Sequence, residues 1–154
     1  MPNPHILVVE ARFYADISDA LWEGAQESFD KVPVSYERLS VPGALEIPAA
    51  IRLAVEASDK GHLQKPYNGY LALGCVIRGE TTHYDVIVNE SARGLQKLAL
   101  KWGLAIGNGI LTVENDEQAW VRADKMQKNK GGEAANACLR MIELRRHFLH
   151  TSKR

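Results

Sequence analysis

Cysteine is scarce in this chain: Cys75 and Cys138 are the only two. Two thiols cannot build a disulfide scaffold, and both are expected to be free in a reducing cytoplasm. An excess of one charge is also missing. Nineteen basic residues balance nineteen acidic ones, which argues against a nucleic-acid platform and its basic surplus. No window approaches the roughly 20 apolar residues of a membrane span. The opening "MPNPHILVVEARFY" lacks the basic stretch and long apolar run of a signal peptide, so a cytoplasmic location is expected. There is no internal repeat, low-complexity tract or Walker motif. "IGNGIL" is no dinucleotide fingerprint, because it lacks the third glycine and sits inside an apolar segment. His5, His62, His83, His147 and His150 show no ligand spacing, so no metal is expected.

What is present is an ordinary globular composition. The 154 residues, 45% hydrophobic and 25% charged, suffice for one core, and a single domain over 1–154 is expected. Apolar and amphipathic segments alternate. "HILVVEARF" (5–13) reads as a buried strand. Ile17, Leu21, Ala25, Ser28, Phe29 and Val32 then recur at helical spacing, with Asp16 as N-cap. "PVSYERLSV" is a second strand, and "PGALEIPAAIRLAVEAS" a helix with Pro48 near its start. "YLALGCVI" (70–77) is the most apolar strand. A helix follows from Tyr84, its face marked by Ile87, Val88, Ser91, Leu95, Leu98, Ala99 and Trp102. "LAIGNGILTV" (104–113) is a fourth strand interrupted by glycines. "ENDEQAWVRA" is a short helix with Asn115 and Gln118 as a near capping box. "KNKGG" reads as a loop before the closing helix. Such alternation predicts a mainly parallel sheet covered by helices on both faces, with ligands beyond the carboxyl ends of the strands.

That rule singles out "ARFY", "VPGALE", "RGETTH" and "END". In "GCVIRGETTHYD", Gly74 and Gly79 allow a tight turn, Thr82 is the expected N-cap, and Asp85 completes a box-like pair. A helix starting near His83 exposes amides that form an anion site, with the Thr81 hydroxyl as an added donor. The same dipole favours a neutral imidazole, able to accept a proton. Two readings of His83 stay open: proton transfer beside a phosphate, or a surface histidine beside a cap. Cys75 is either a nucleophile partnered by His83 or a small buried hydrophobe. Glu46 in a first helical turn either gains from the dipole or receives substrate hydroxyls. Phe13 and Tyr14 either stack on a planar ring or close the core. Arg122 and Lys130 either belong to a solvated charge run with Lys125 and Lys128, or clamp a phosphate.

"VPGALEIP", "GCVIRGETTHYDVIVNES", "GILTVENDEQAWVRA" and "NKGG" stand in the order and spacing of the lumazine synthases, which the chain resembles from about Ile6 to Leu144. The resemblance implies a three-layer α/β/α sandwich, flavodoxin-like, with a four-stranded parallel sheet. It implies condensation of 5-amino-6-ribitylaminouracil with 3,4-dihydroxy-2-butanone 4-phosphate, without metal or organic cofactor, the penultimate step towards riboflavin. Phe13 would stack on the uracil ring. Ala44, Leu45 and Glu46 would hold the ribityl chain, and Cys75, Val76 and Ile77 would line the ring pocket. Gly79, Glu80 and Thr81 would meet the phosphate, and His83 would transfer protons. From an adjacent subunit, Asn108 would border the ring, Arg122 would bind phosphate, and Lys130 would assist near the reacting atoms. The resemblance also implies a homo-oligomer, and it names riboflavin synthase as a partner to consider.

Three residues depart from the family pattern. Tyr14 stands where many members carry asparagine, Asn108 where many carry phenylalanine, and Glu80 where many carry alanine. Glu80 would repel a dianion if it pointed inward, so an outward side chain is expected. The family forms free pentamers, paired pentamers and icosahedral shells. The uninterrupted "KNKGG" permits a shell, while the short N-terminal segment favours the free pentamer. A different class, a binding or shell protein for riboflavin or a related pteridine, would need none of His83, Arg122 and Lys130. Their joint presence favours the enzyme.

Overall fold

Strands buried on both faces carry unbroken apolar runs, and two segments here do so. The computed structural model describes residues 2–149. Strand β1 (His5–Ala11) and strand β3 (Gly69–Ile77) lie at the centre, flanked by β2 (Ser35–Val41) and β4 (Ile106–Val113). The order is β2-β1-β3-β4 and every pairing is parallel. Five helices follow in chain order: α1 (Ala15–Asp30), α2 (Ile47–Asp59), α3 (His83–Trp102), α4 (Asp116–Ala123) and α5 (Lys130–Leu149).

Alternate strand residues feed two cores, as the pleat requires. Ile6, Val8, Leu71, Leu73 and Leu111 pack with Leu21, Phe29, Ala119, Cys138 and Ile142 under α1, α4 and α5. Leu7, Val9, Tyr70 and Ala72 pack with Ile47, Ile51, Val55 and Leu95 under α2 and α3. The result is the three-layer α/β/α, flavodoxin-like sandwich. No helix among the described residues is long and apolar enough to cross a membrane.

Several local expectations are corrected. The first strand stops at Ala11 rather than Phe13, because its pairing with β2 ends at Ala11–Val41. The next helix is capped by Tyr14 without a side-chain bond, and Asp16 lies inside its first turn. Val32 falls beyond that helix and is exposed. The second helix opens as a 3₁₀ turn, Ala44–Glu46, and Pro48 sits in the first turn of α2. Strand β4 is not interrupted by its glycines. A side chain at Gly107 would collide with the Ala134 carbonyl of α5, so the glycine is there to let a helix close on the sheet.

"KNKGG" is not a loop throughout, since α5 already begins at Lys130. Gly131 and Gly132 are helical, and a side chain at Gly131 would strike the carbonyl of Leu21 in α1. Asn129 starts this helix from a left-handed conformation, φ 48°. Its Oδ1 accepts from the Gly132 amide at 3.2 Å. The near capping box of α4 is half as expected. Asn115 Oδ1 accepts from the Gln118 amide at 2.9 Å, but Gln118 Oε1 turns to the Glu114 amide at 2.8 Å.

Candidate active site

In a doubly wound sheet the connections from β1 and β3 leave towards opposite faces, and a crevice opens where they part. A cleft of about 420 Å³ lies there, walled by residues that follow β1 and β2 and by the end of β3. Phe13 and Tyr14 come from the β1–α1 turn. Ala44, Leu45 and Glu46 come from the 3₁₀ turn, and Cys75, Val76 and Ile77 from the last residues of β3. Phe13 is 76% exposed. It meets Tyr14 in a T-shaped pair, with ring centroids 4.9 Å apart, and lines the cleft as a largely exposed ring available for stacking. Glu46 is exposed, and its carboxylate has no partner among the described residues.

The remaining wall is the β3–α3 loop. Gly79, Thr81 and His83 line the cleft. Thr82 occupies the N-cap position, but its hydroxyl caps nothing. Thr81 does that work instead, its Oγ1 accepting the His83 amide at 3.2 Å. Asp85 does not close a box either. It faces Arg78, 3.5 Å away, because a cation at the loop competes for it. Arg78 Nε also donates to Glu114 at 2.8 Å, and its guanidinium lies 4.3 Å over the Tyr84 ring. Arg78 thereby ties the loop to the first turn of α3 and to the segment after β4. The amides of Tyr84 and Asp85 keep no intrahelical acceptor, which is the usual state of first-turn amides and suits an anion.

Burial pushes the Cys75 thiol up to about 12, with the negative charge of Asp116 adding to the effect. A thiol that stays protonated at neutral pH is a poor nucleophile. Burial and the raised thiol pKa favour the inert hydrophobe of the two readings, against the hydrolase. Tyr14 is likewise raised, first by burial and then by Cys75 and Asp116.

Asn108, Arg122 and Lys130 do not line this cleft. They border a separate recess of about 250 Å³ on the outer side of β4, which shares no lining residue with the cleft. Asn108 Oδ1 accepts the Ile110 amide at 3.0 Å, so its amide hydrogens remain for other partners. Arg122 Nη1 donates to the Gln118 carbonyl at 3.1 Å, and no carboxylate of the described residues pairs with it. Lys130 pairs with Glu133 at 3.1 Å. Glu80 lines neither recess nor cleft and is exposed, although its neighbours Gly79 and Thr81 both face the cleft. The cleft in turn is lined by no arginine or lysine.

Three further cleft residues were not named among the candidate site residues from the sequence: Gly43, Tyr84 and Ile87, while Tyr14, weighed there as a stacking ring, also lines the cleft. Ile87 was assigned to the core face of its helix, and it does pack there. Its position one turn after His83 is the signal that it reaches the cleft as well.

The family model for 6,7-dimethyl-8-ribityllumazine synthase matches residues 3–146. The chain is 56% identical over 144 residues to 6,7-dimethyl-8-ribityllumazine synthase 1 of Rhizobium meliloti, covering 94% of this chain and 93% of that one. It is 55% identical over 146 residues to the 6,7-dimethyl-8-ribityllumazine synthase of Agrobacterium fabrum, covering 95% and 97%. Against the enzyme of that name from Paramagnetospirillum magneticum it is 47% identical over 143 residues, covering 93% and 95%. With the fold and the cleft in agreement, the chain belongs to the 6,7-dimethyl-8-ribityllumazine synthase family, transferase enzymes of riboflavin biosynthesis.

Proposed function

We propose that this chain condenses 5-amino-6-ribitylaminouracil with 3,4-dihydroxy-2-butanone 4-phosphate to 6,7-dimethyl-8-ribityllumazine, releasing phosphate and water. The observation that carries the reading is the cleft's combination of an exposed aromatic ring, an unpaired carboxylate and an imidazole at a helix start. Phe13 stacks on the uracil ring, while Cys75, Val76 and Ile77 hold its edge through backbone groups. Ala44, Leu45 and Glu46 take the ribityl chain, whose hydroxyls donate to the Glu46 carboxylate. The phosphate rests on the amides of Gly79, Glu80 and Thr81 and of the first turn of α3, and on the Thr81 hydroxyl, whose hydrogen is free while its oxygen accepts from His83. Imine formation, phosphate elimination and ring closure each need protons moved, and His83 moves them.

A phosphate dianion calls for a cation as well as amides, and the cleft offers no arginine or lysine of its own. Arg122 has a guanidinium with no carboxylate partner, but it borders the separate recess. These two facts support a homo-oligomer, the pentamer of the family, in which the recess of one copy faces the cleft of the next. Arg122 then binds the phosphate, Lys130 stands near the reacting atoms, and Asn108 borders the ring. A head-to-tail contact of this kind forms a ring when its rotation closes.

The test is the appearance of the fluorescent lumazine from the two substrates, with the unaided condensation subtracted. A rate no higher than that background refutes the reading.

A further inference from the structure

Glu10 stands one residue before the end of β1 and is 3% exposed. A carboxylate buried that deeply needs a cation beside it. Arg38 on β2 supplies one in the bidentate geometry, Nε to Oε2 at 2.7 Å and Nη2 to Oε1 at 3.1 Å. Arg38 is itself held 4.3 Å over the Trp22 ring of α1. The charge of Glu10 is thus answered without any other residue. A second guanidinium is nevertheless present. Arg12 Nη1 donates to Glu10 Oε1 at 3.1 Å, and its Nη2 donates to Asp19 in α1.

Arg12 therefore spans the turn from β1 to α1, held at both sides, and the residue after it is Phe13. No core cluster includes the Phe13 ring, and among the described residues its aromatic contact is the T-shaped pair with Tyr14. Packing cannot aim this ring, so its aim comes from the backbone. We propose that Arg12 is a positioning residue: Glu10 and Asp19 clamp its guanidinium, and the clamp fixes the turn that holds Phe13 over the cleft. The catalytic part of this inference rests on the reading of Phe13 as the ring-stacking residue. A ring held in place before binding spares the substrate the cost of ordering it.

Two variants test it. Arg12→Ala removes the clamp. Asp19→Asn removes one of its two anchors at a site with 67% of the side chain exposed, where the core is untouched. Ordering one side chain at a typical cost predicts that Arg12→Ala raises KM for 5-amino-6-ribitylaminouracil by about threefold to tenfold. Asp19→Asn should raise it by less, and KM for the phosphorylated substrate should hold in both. In the double variant Arg12→Ala/Phe13→Ala that KM should be no higher than in Phe13→Ala alone. Losses that multiply instead mean that Arg12 acts other than through Phe13, which overturns the proposal.

A second readout needs no turnover. The three phenylalanines, Phe13, Phe29 and Phe148, are replaced by 4-fluorophenylalanine and observed by fluorine NMR. In both variants the Phe13 resonance should shift and narrow while that of buried Phe29 stays. An unmoved Phe13 resonance overturns the clamp whatever the kinetics. A moved resonance, with Phe13→Ala leaving the amine KM unchanged, upholds the clamp and sinks the stacking reading instead.

Discussion

Two inactive chains should make a working enzyme if cleft and recess come from different copies. His83→Ala spoils the cleft and leaves the recess whole. Arg122→Ala spoils the recess and leaves the cleft whole. The two surfaces share no lining residue, so each variant is sound at the other's defect. In a ring closed by head-to-tail contacts every cleft meets one recess, whatever the number of subunits. After random mixing in equal amounts, half the clefts and half the recesses are intact, so about a quarter of all sites are whole. The parents are far lower. Loss of a general acid–base group costs roughly 10²–10⁴-fold. Loss of a hydrogen bond to a charged group, about 1.5–3 kcal/mol, costs roughly 10-fold or more. Unmixed parents would then average no more than about a twentieth of the native rate. The assay is lumazine fluorescence with the phosphorylated substrate held well below the native KM, where a loss of binding lowers the rate in full, after the two variants are co-refolded. Native mass spectrometry of a mass-tagged variant confirms that mixed rings have formed. Mixed rings turning over at only the mean of the two parents would refute the shared site.

Three further outcomes follow from single positions. Arg122→Ala alone should raise KM for 3,4-dihydroxy-2-butanone 4-phosphate more than it lowers kcat, and an unchanged KM removes Arg122 from the phosphate site. Gly107→Ala should lower the melting temperature, since the new methyl meets the backbone carbonyl of Ala134. Overpacking of that kind costs about 1–3 kcal/mol, and calorimetry finding no change would mean that α5 does not lie so close. Stability should also decline at alkaline pH. Burial holds the Cys75 and Cys138 thiols at about 12 against 9.0 for a free thiol. The unfolded chain releases these protons near pH 9.0 while the folded chain keeps them, so the contribution is intact below that pH and is lost as pH climbs towards 12. Urea midpoints that stay level from pH 9 to 11 would contradict this, and Cys138→Ser should flatten the fall.

The parts of the fold that were legible in the sequence depend on near neighbours. "YLALGCVI" announced a central strand because burial on both faces removes polar residues from a run of eight. "RGETTH" announced the loop and helix start that wall the cleft, because glycine, threonine and a helix start sit within six residues. The misreadings share a different cause. Gly107 and Gly131 were read as breaks, yet each lies within a regular element, and the carbonyl that demands it belongs to another one, Ala134 or Leu21. Thr82 was read as a cap, and Thr81 took the bond. Asp85 was drawn to Arg78, seven residues away, rather than to the helix amides. The Glu10–Arg12–Arg38 cluster gave no signal, because Arg38 lies 28 positions from Glu10 and meets it only once β1 and β2 pair. Glycine makes the point most sharply. Gly79 keeps an ordinary φ with open space around it, so the tight turn expected there is not what holds it. At Gly103, φ 65°, glycine ends its own helix, whereas at Gly107 it serves a helix that begins more than twenty residues later. Residue type alone cannot separate these two uses, because the deciding atom is supplied by tertiary contact. The same reasoning applies one level up: if Arg122 completes a neighbour's cleft, its deciding contact lies outside the chain altogether, and subunit mixing is what can reveal it.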